Sequence, residues 1–350
     1  MVAGDSGHQT LAVGCARPEH HEHEHERIMK TLHQHTTRES EFAAICARSP
    51  HNALVAAECA NLTSGTPDTD GVALCDSVSH VPRAAYVRAG VRFLARGTTL
   101  DELVTAVAAS DIPADGFRID VHSSVDSLGR SHREATVALA DALPFYPDLD
   151  DPRHRFLVLS MGDDLRFGEV VTECTRSYRQ HDAKPRRTSS SLSSRLSRAL
   201  VNLVTPARTL LDPCCGTGSV LLEARALGMQ AFGADWNETM VEMARENLAH
   251  FDYDATVERA DARNYTRTAD VIVTDLPYGR SLTADDEVVR EILRQGATLA
   301  PLAVYVAGER ITEWLVDAGY RDVSVYPVFK QAGSARYVHV ARSERHTENG

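Results

Sequence analysis

Four short loops in the second half of this 350-residue chain carry residue types and spacings that suit a nucleoside-bearing ligand. The first reads Asp212-Pro213-Cys214-Cys215-Gly216-Thr217-Gly218-Ser219. Glycines at 216 and 218 let the backbone turn tightly and approach a ligand, with the N–H groups of a following helix facing it. A dinucleotide fingerprint requires a third glycine at 221, and that residue is Leu221, so a nicotinamide cofactor is disfavoured. Asp235, 17 residues beyond Gly218, closes the next apolar run beside Trp236; a carboxylate there can accept from both hydroxyls of a ribose. Asp261 closes the third, where its carboxylate suits an adenine amino group and the Ala262 N–H suits the ring. Each acid alone would be an ordinary cap or turn residue. A glycine turn followed by two acids at successive strand ends describes a site for adenosine.

The fourth loop is Thr274-Asp275-Leu276-Pro277-Tyr278-Gly279. An exocyclic amine on a base is a poor nucleophile, because its lone pair is delocalised into the ring. If the Asp275 carboxylate and the Leu276 carbonyl each accept one amine hydrogen, that lone pair can be aimed at an electrophile. Tyr278 offers a flat face for the base, and Pro277 stiffens the turn. Asp275, Leu276, Pro277 and Tyr278 are therefore the candidate catalytic residues.

These loops need elements to hold them. From 192 onward helix and strand patterns alternate: helix 192–204, strand 209–211, helix 219–227, strand 231–234, helix 238–249, strand 256–259, strand 271–274, helix 287–299, strand 302–307, helix 311–318, and final strands 323–328 and 337–341. Such alternation implies parallel strands and right-handed crossovers, an α/β doubly wound sheet with ligands at the carboxyl ends of its strands. Upstream, residues 40–180 mix strands (42–47, 71–75, 85–95, 117–121, 156–160, 168–174) with helices (54–62, 100–109, 134–143), an α+β region. Its second helix carries Thr99 followed by Glu102, a capping-box spacing.

Between the two regions the charge changes sign. Residues 176–198 carry Arg176, Arg179, Lys184, Arg186, Arg187, Arg195 and Arg198 against the single acid Asp182, in a chain whose net charge is −12. A solvated linker is the plain reading, and 181–190 is expected to be one; seven cations beside Ser189, Ser190 and Ser191 also suit phosphate contacts. The acidic total argues against indiscriminate nucleic-acid binding, so a polyanion must be received locally.

Composition excludes other classes. A hydrophobic fraction of 43% with 25% charged residues is that of a globular chain, not a disordered or collagen-like one. No run is apolar enough to span a bilayer, no membrane partner is expected, and no secretory leader is read at the start. Seven cysteines, two of them adjacent, do not form a disulfide framework, and a reducing cytoplasm is expected. Residues 1–39, with alternating His and Glu from His20 to Glu26, are expected to be a solvated tail rather than a metal site, and 344–350 a second tail.

The glycine loop at 212–219, Asp235, Asp261 and Asp275-Leu276-Pro277-Tyr278 resemble the class I S-adenosylmethionine-dependent amino-methyltransferases. The basic segment running into Arg186-Arg187-Thr188-Ser189-Ser190-Ser191-Leu192, with Arg198-Ala199-Leu200-Val201-Asn202-Leu203 after it, is similar to the junction of the THUMP-domain tRNA guanine-N2 methyltransferases, especially archaeal enzymes acting on guanosine 10. The resemblance covers about 184–342 by motif and the N-terminal region by layout only. It implies a Rossmann-like methyltransferase sheet over 191–343, preceded by an RNA-binding region, ferredoxin-like plus THUMP-like. It further implies S-adenosylmethionine held by Ser190, Asp212, Cys214, Gly216, Gly218, Asp235, Trp236, Asp261, Ala262 and Asp275. tRNA would be gripped by Arg176, Arg179, Lys184, Arg186 and Arg187, no metal is needed, and a small activating protein subunit is an open partner. Leu276 stands where this family commonly has a first proline, and Ser189 where it often has another. Rival readings are methylation of a DNA base, another RNA base or a glutamine amide, and a non-catalytic RNA-binding subunit.

Overall fold

The computed structural model describes residues 41–123, 125–277, 286–329 and 335–343. The His-rich tail, Tyr278 and the 344–350 end lie outside them. The first half runs β1 (Phe42–Cys46), α1 (Asn52–Thr63), β2 (Val72–Cys75), β3 (Val87–Gly97), α2 (Leu100–Ala108), β4 (Phe117–His122), a single turn α3 (Val125–Leu128), α4 (His132–Asp141), β5 (His154–Met161) and β6 (Asp164–Glu173). Its six strands form one sheet in the order β2-β1-β3-β6-β5-β4, antiparallel except for the β4–β5 pair. β1 is covered on both faces: Ala44 and Cys46 pack with Leu54 and Val55 of α1, while Ala43 and Ile45 pack with Leu157 and Leu159 of β5. Double burial explains its unbroken apolar run, where a half-exposed strand would alternate.

The capping expectation at Thr99 is met in half. Thr99 Oγ1 accepts the Glu102 N–H at 3.2 Å, but the Glu102 carboxylate accepts from the N–H of Thr98, one residue early. The reciprocal box lies instead at the start of α4, between Ser131 and Glu134.

The second half comprises α5 (Ser194–Asn202), β7 (Thr209–Asp212), α6 (Ser219–Ala226), β8 (Gln230–Asp235), α7 (Glu238–His250), β9 (Thr256–Arg259), β10 (Val271–Asp275), α8 (Asp286–Leu299), β11 (Leu302–Ala307), α9 (Thr312–Asp317), β12 (Tyr320–Phe329) and β13 (Ala335–Ser343). Its seven strands are ordered β12-β13-β11-β10-β7-β8-β9. β7 to β11 pair in parallel, so this is the doubly wound sheet expected. The order reverses between β7 and β10, which opens a crevice at their carboxyl ends, the usual ligand position in such sheets. The two final strands, which no helix pattern separates in the sequence, depart from that parallel arrangement. β13 is antiparallel to both β11 and β12, because the five residues between β12 and β13 are too few for a parallel crossover.

The two halves share a core. From Ser40 onward the chain is one compact unit, and a single apolar cluster runs from Leu54 and Val55 of α1 through Leu196 and Leu200 of α5 to Leu210 of β7. A buried polar knot pins the join. The carboxylate of the fully buried Glu58 accepts from the N–H groups of Ala85 (2.8 Å) and Tyr86 (2.7 Å) and from Asn202 Nδ2 (2.6 Å). Arg83 Nε donates to the other end of the Asn202 amide at 3.0 Å. Leaving any of these buried groups unpaired costs about 1–3 kcal/mol, so the knot specifies one docking of α1 on α5. Among the described residues no helix is long and apolar enough to cross a membrane.

Candidate active site

Gly216 and Gly218 both take left-handed backbone angles, φ 51° and 78°, where a side chain would be strained. The turn is fastened to β8 by the Cys215 N–H donating to the Ala234 carbonyl at 2.8 Å. The two glycines do different jobs. A Cβ placed on Gly218 would stand 3.2 Å from that of Ala244 on α7, so this glycine permits helix packing. A Cβ on Gly216 would meet nothing within 4 Å, so this one fronts open space. Leu221, at the position a dinucleotide fingerprint gives to glycine, is fully buried core. Cys214 and Cys215 have thiols pushed well up by burial, which leaves them unreactive.

Three carboxylates lie near one another at the ends of β7, β8 and β10. Asp235 closes β8 and accepts the Gly216 N–H on Oδ2 and the Asn237 N–H on Oδ1, both at 2.9 Å, joining the glycine turn to the start of α7. Burial raises its pKa. Asp212 closes β7, with Oδ1 accepting from Thr274 Oγ1 at 2.6 Å and from the Cys214 N–H at 3.3 Å. Burial, reinforced by the charges of Asp235 and Asp275, pushes Asp212 up to about 7. Asp275 closes β10, in register with Val306 of β11. The Leu276 N–H then donates to the Val306 carbonyl at 2.9 Å, and its side chain is core. A proline in that place would lack the hydrogen this bond needs, so leucine extends the β10–β11 pairing one step further. Pro277 follows, half-buried.

The third strand end differs from expectation. Asp261 is already engaged: its Oδ1 accepts the Arg263 N–H at 2.9 Å, and the Arg263 guanidinium donates to both carboxylate oxygens, the shortest contact 2.6 Å. Hydrogen bonding to Arg263 holds the Asp261 carboxyl below its usual range, and Arg263 reaches on to Glu291 of α8. Ala262 is buried, while the Trp236 side chain beside Asp235 is 67% exposed.

The basic segment is the largest departure. It is packed structure, with Ser177–Ala183 in a 3-10 helix. Lys184, expected to meet phosphate, is buried and donates to Ser219 Oγ at the start of α6, and its pKa falls to about 8 through burial. Arg198 is 1% exposed and donates to Glu223 at 2.7 Å; His181 bonds the other oxygen of the same fully buried carboxylate. Arg195 lies over the Tyr86 ring and donates to the Ala85 carbonyl. Arg186 pairs with Glu246 while remaining half-exposed. Arg176, Arg179 and Arg187 stay exposed.

That packing brings the serines to the glycine turn. Ser191 Oγ lies 3.0 Å from Thr217 Oγ1, and Ser190, expected at the cofactor, has its carbonyl held by Arg336 of β13 at 2.9 Å. Asn247 on α7 was missed in the sequence. Its Nδ2 donates to the carbonyls of Arg186 (2.9 Å) and Thr217 (2.8 Å), and its Oδ1 accepts the Arg186 N–H. A polar residue within the apolar stripe of Val241, Ala244 and Leu248 was the available signal for such a buried clasp. Arg336 carried no comparable signal.

Strand order, glycine turn and converging acids define a class I methyltransferase fold, and residues 181–300 match the family model described as RMKL-like, methyltransferase domain. Among known proteins the chain is 43% identical over 110 residues to the tRNA (guanine(10)-N2)-dimethyltransferase of Methanothermobacter thermautotrophicus, a match covering 30% of this chain and 33% of that one. It is 39% identical over 111 residues to the protein of that name from Pyrococcus abyssi, covering 30% and 34%. The matches thus span about a third of the length of these curated relatives. The crystal structure of TrmN from Thermus thermophilus aligns with 86% of this chain and 99% of its own, at a TM-score of 0.50 and 21% identity, a likeness of fold.

Proposed function

We propose that this chain is an S-adenosylmethionine-dependent methyltransferase acting on N2 of a guanosine in tRNA, at position 10, and able to place two methyl groups there. The observation that supports it most is that Asp275 and Leu276 close β10 in a group of acids with Asp212 and Asp235, the last of which accepts the Gly216 N–H. The relatives named above act, by their names, on that atom of tRNA.

The residues present fit such a cofactor. Asp235, which accepts the Gly216 N–H beside open space, offers the hydrogen-bond acceptor that ribose hydroxyls require. Asp235 would take the ribose, Trp236 and Ala262 would flank the adenine with Asp261, and Ser190, Cys214 and Gly218 would complete the wall. When bound, the cofactor supplies a methyl group made electrophilic by its sulfonium charge.

The chain does the rest. Asp275 and the Leu276 carbonyl accept the amine hydrogens and direct the nitrogen lone pair; alignment of this kind is worth roughly 7–11 kcal/mol. Asp275 then takes the proton that the nitrogen sheds, adding ~10²–10⁴-fold as a general base. One hydrogen remains after a first transfer, so the same grip serves a second. Arg176, Arg179, Arg187 and the outer face of Arg186, with the N-terminal α+β region, would hold folded tRNA. The cytoplasm is the compartment this reading implies.

Unmodified tRNA incubated with the protein and cofactor, then mapped by nucleoside mass spectrometry, tests the reading. N2-methylguanosine and N2,N2-dimethylguanosine at position 10 are expected. Methyl on another base, or on DNA or a glutamine amide instead, overturns it.

A further inference from the structure

At the carboxyl end of β12 an aromatic ring stands in solvent. Phe329 is 54% exposed, and its inner face is backed by His51, the residue preceding α1, with ring centroids 6.3 Å apart and planes 23° from parallel. The Phe329 N–H donates to His51 Nδ1 at 3.2 Å. That bond places the imidazole proton on Nε2 and fixes the histidine beneath the phenylalanine. Burial and the nearby Arg195 guanidinium lower the His51 pKa, which favours the neutral ring that accepts on Nδ1. The pair joins the two halves of the molecule, His51 from the N-terminal region and Phe329 from the methyltransferase sheet. The Arg195 guanidinium lies near enough to act on His51, and Arg48, exposed, precedes it by three residues.

Register locates this platform relative to the candidate catalytic turn. Asp275 is level with Val306 on β11, Val306 with Val338 on β13, and Val338 with Tyr326 on β12. Phe329 lies three residues beyond that level, on the side where β7, β8 and β10 present their acids. Three inter-strand spacings and three residue rises put it about 14 Å across and about 10 Å forward from Asp275. That is too far to touch a base held at Asp275 and suits a neighbour of that base along the same strand. An exposed ring with fixed backing and an arginine nearby has the make-up of a stacking site for unpaired nucleic acid, since every base offers a π-face and its phosphate seeks an arginine.

We propose that the Phe329–His51 pair is a stacking platform for an unpaired base of the RNA substrate a few nucleotides from the one held at Asp275. This rests on the reading of the chain as an RNA base methyltransferase, and extends it to a second contact that opens and orients the strand.

Phe329→Ala, Phe329→Leu and Phe329→Trp separate the roles. Stacking predicts that the alanine and leucine variants both raise the tRNA dissociation constant and KM by about 10-fold or more, whereas the tryptophan variant keeps both near the wild-type values. Affinity for S-adenosylmethionine should stay unchanged in all three, and the added indole fluorescence of Phe329→Trp should be quenched when tRNA binds. Wild-type behaviour of the alanine variant, retention of affinity by the leucine variant, or failure of the tryptophan variant to preserve it each overturns the platform. A wild-type protein that methylates no tRNA refutes the underlying function instead, and the two failures are thereby told apart.

Discussion

Thr274 donates its hydroxyl to Asp212 at 2.6 Å, and β10 is thereby clasped to β7 directly beneath the turn that carries Asp275. The clasp has a pH signature. Asp212 stands near 7 in the folded chain against 3.8 for the free group, so the folded state holds its proton more tightly than the unfolded one. This group's contribution to stability is therefore complete below about pH 4 and is lost as pH rises toward 7, by a few kcal/mol at most. Asp212→Asn removes that loss. The drop in melting temperature between pH 5 and pH 8 should be smaller in the variant than in the wild type; an equal drop refutes the shift.

Asp275→Ala should lower kcat by at least ~10²-fold, the least expected of an aligning general base, with cofactor affinity changed little. Calorimetric titration beside single-turnover assays separates the two. Loss of both together would mean that Asp275 holds the cofactor and that the amine is directed by another group.

The glycine turn makes a finer distinction. Gly216→Ala carries the strain of a left-handed residue, about 1–2 kcal/mol, but meets no neighbour, and its methyl enters the space where the ligand is proposed. Gly218→Ala carries similar strain and also presses on Ala244. The 216 variant should melt higher than the 218 variant yet bind cofactor more weakly. The opposite order in binding would put the ligand on the other side of the turn.

The parallel strands and their loops were legible because burial on both faces writes an unbroken apolar run, as in Val271–Val273, and because a doubly wound sheet puts chemistry after each strand. The cations were legible as charge and illegible as position. Lys184 meets Ser219 and Arg198 meets Glu223, partners 35 and 25 residues away along the chain, and no local pattern distinguishes a cation that will be buried by a distant helix from one left in water. Asp261 shows the converse. Its partner Arg263 is only two residues on, yet an arginine beside a turn aspartate is so ordinary in sequence that the clamp could be seen only once Glu291 of α8 was found holding the guanidinium in place.

The contrast between Arg198 and Arg187 tests which cations belong to the fold. Arg198 is sealed between α5 and α6, donating to Glu223 and, through Nη1, to the Arg83 carbonyl at 3.2 Å. Removing it strands a buried carboxylate that His181 alone must satisfy, a loss of ~3–5 kcal/mol for a broken buried pair. Arg198→Leu should therefore lower the melting temperature by many degrees, and tRNA affinity should fall only as far as the folded fraction falls. Arg187, exposed, donates at 3.3 Å to the Asp182 carbonyl, and Arg187→Glu should leave the melting temperature within about a degree or two of wild type. If Arg187 meets a phosphate, the same variant binds tRNA more weakly and shows a shallower dependence of affinity on salt, because one fewer counterion is released. Equal salt slopes in wild type and variant would move the RNA path away from this segment and leave it as a strap that Asn247 ties to the glycine turn.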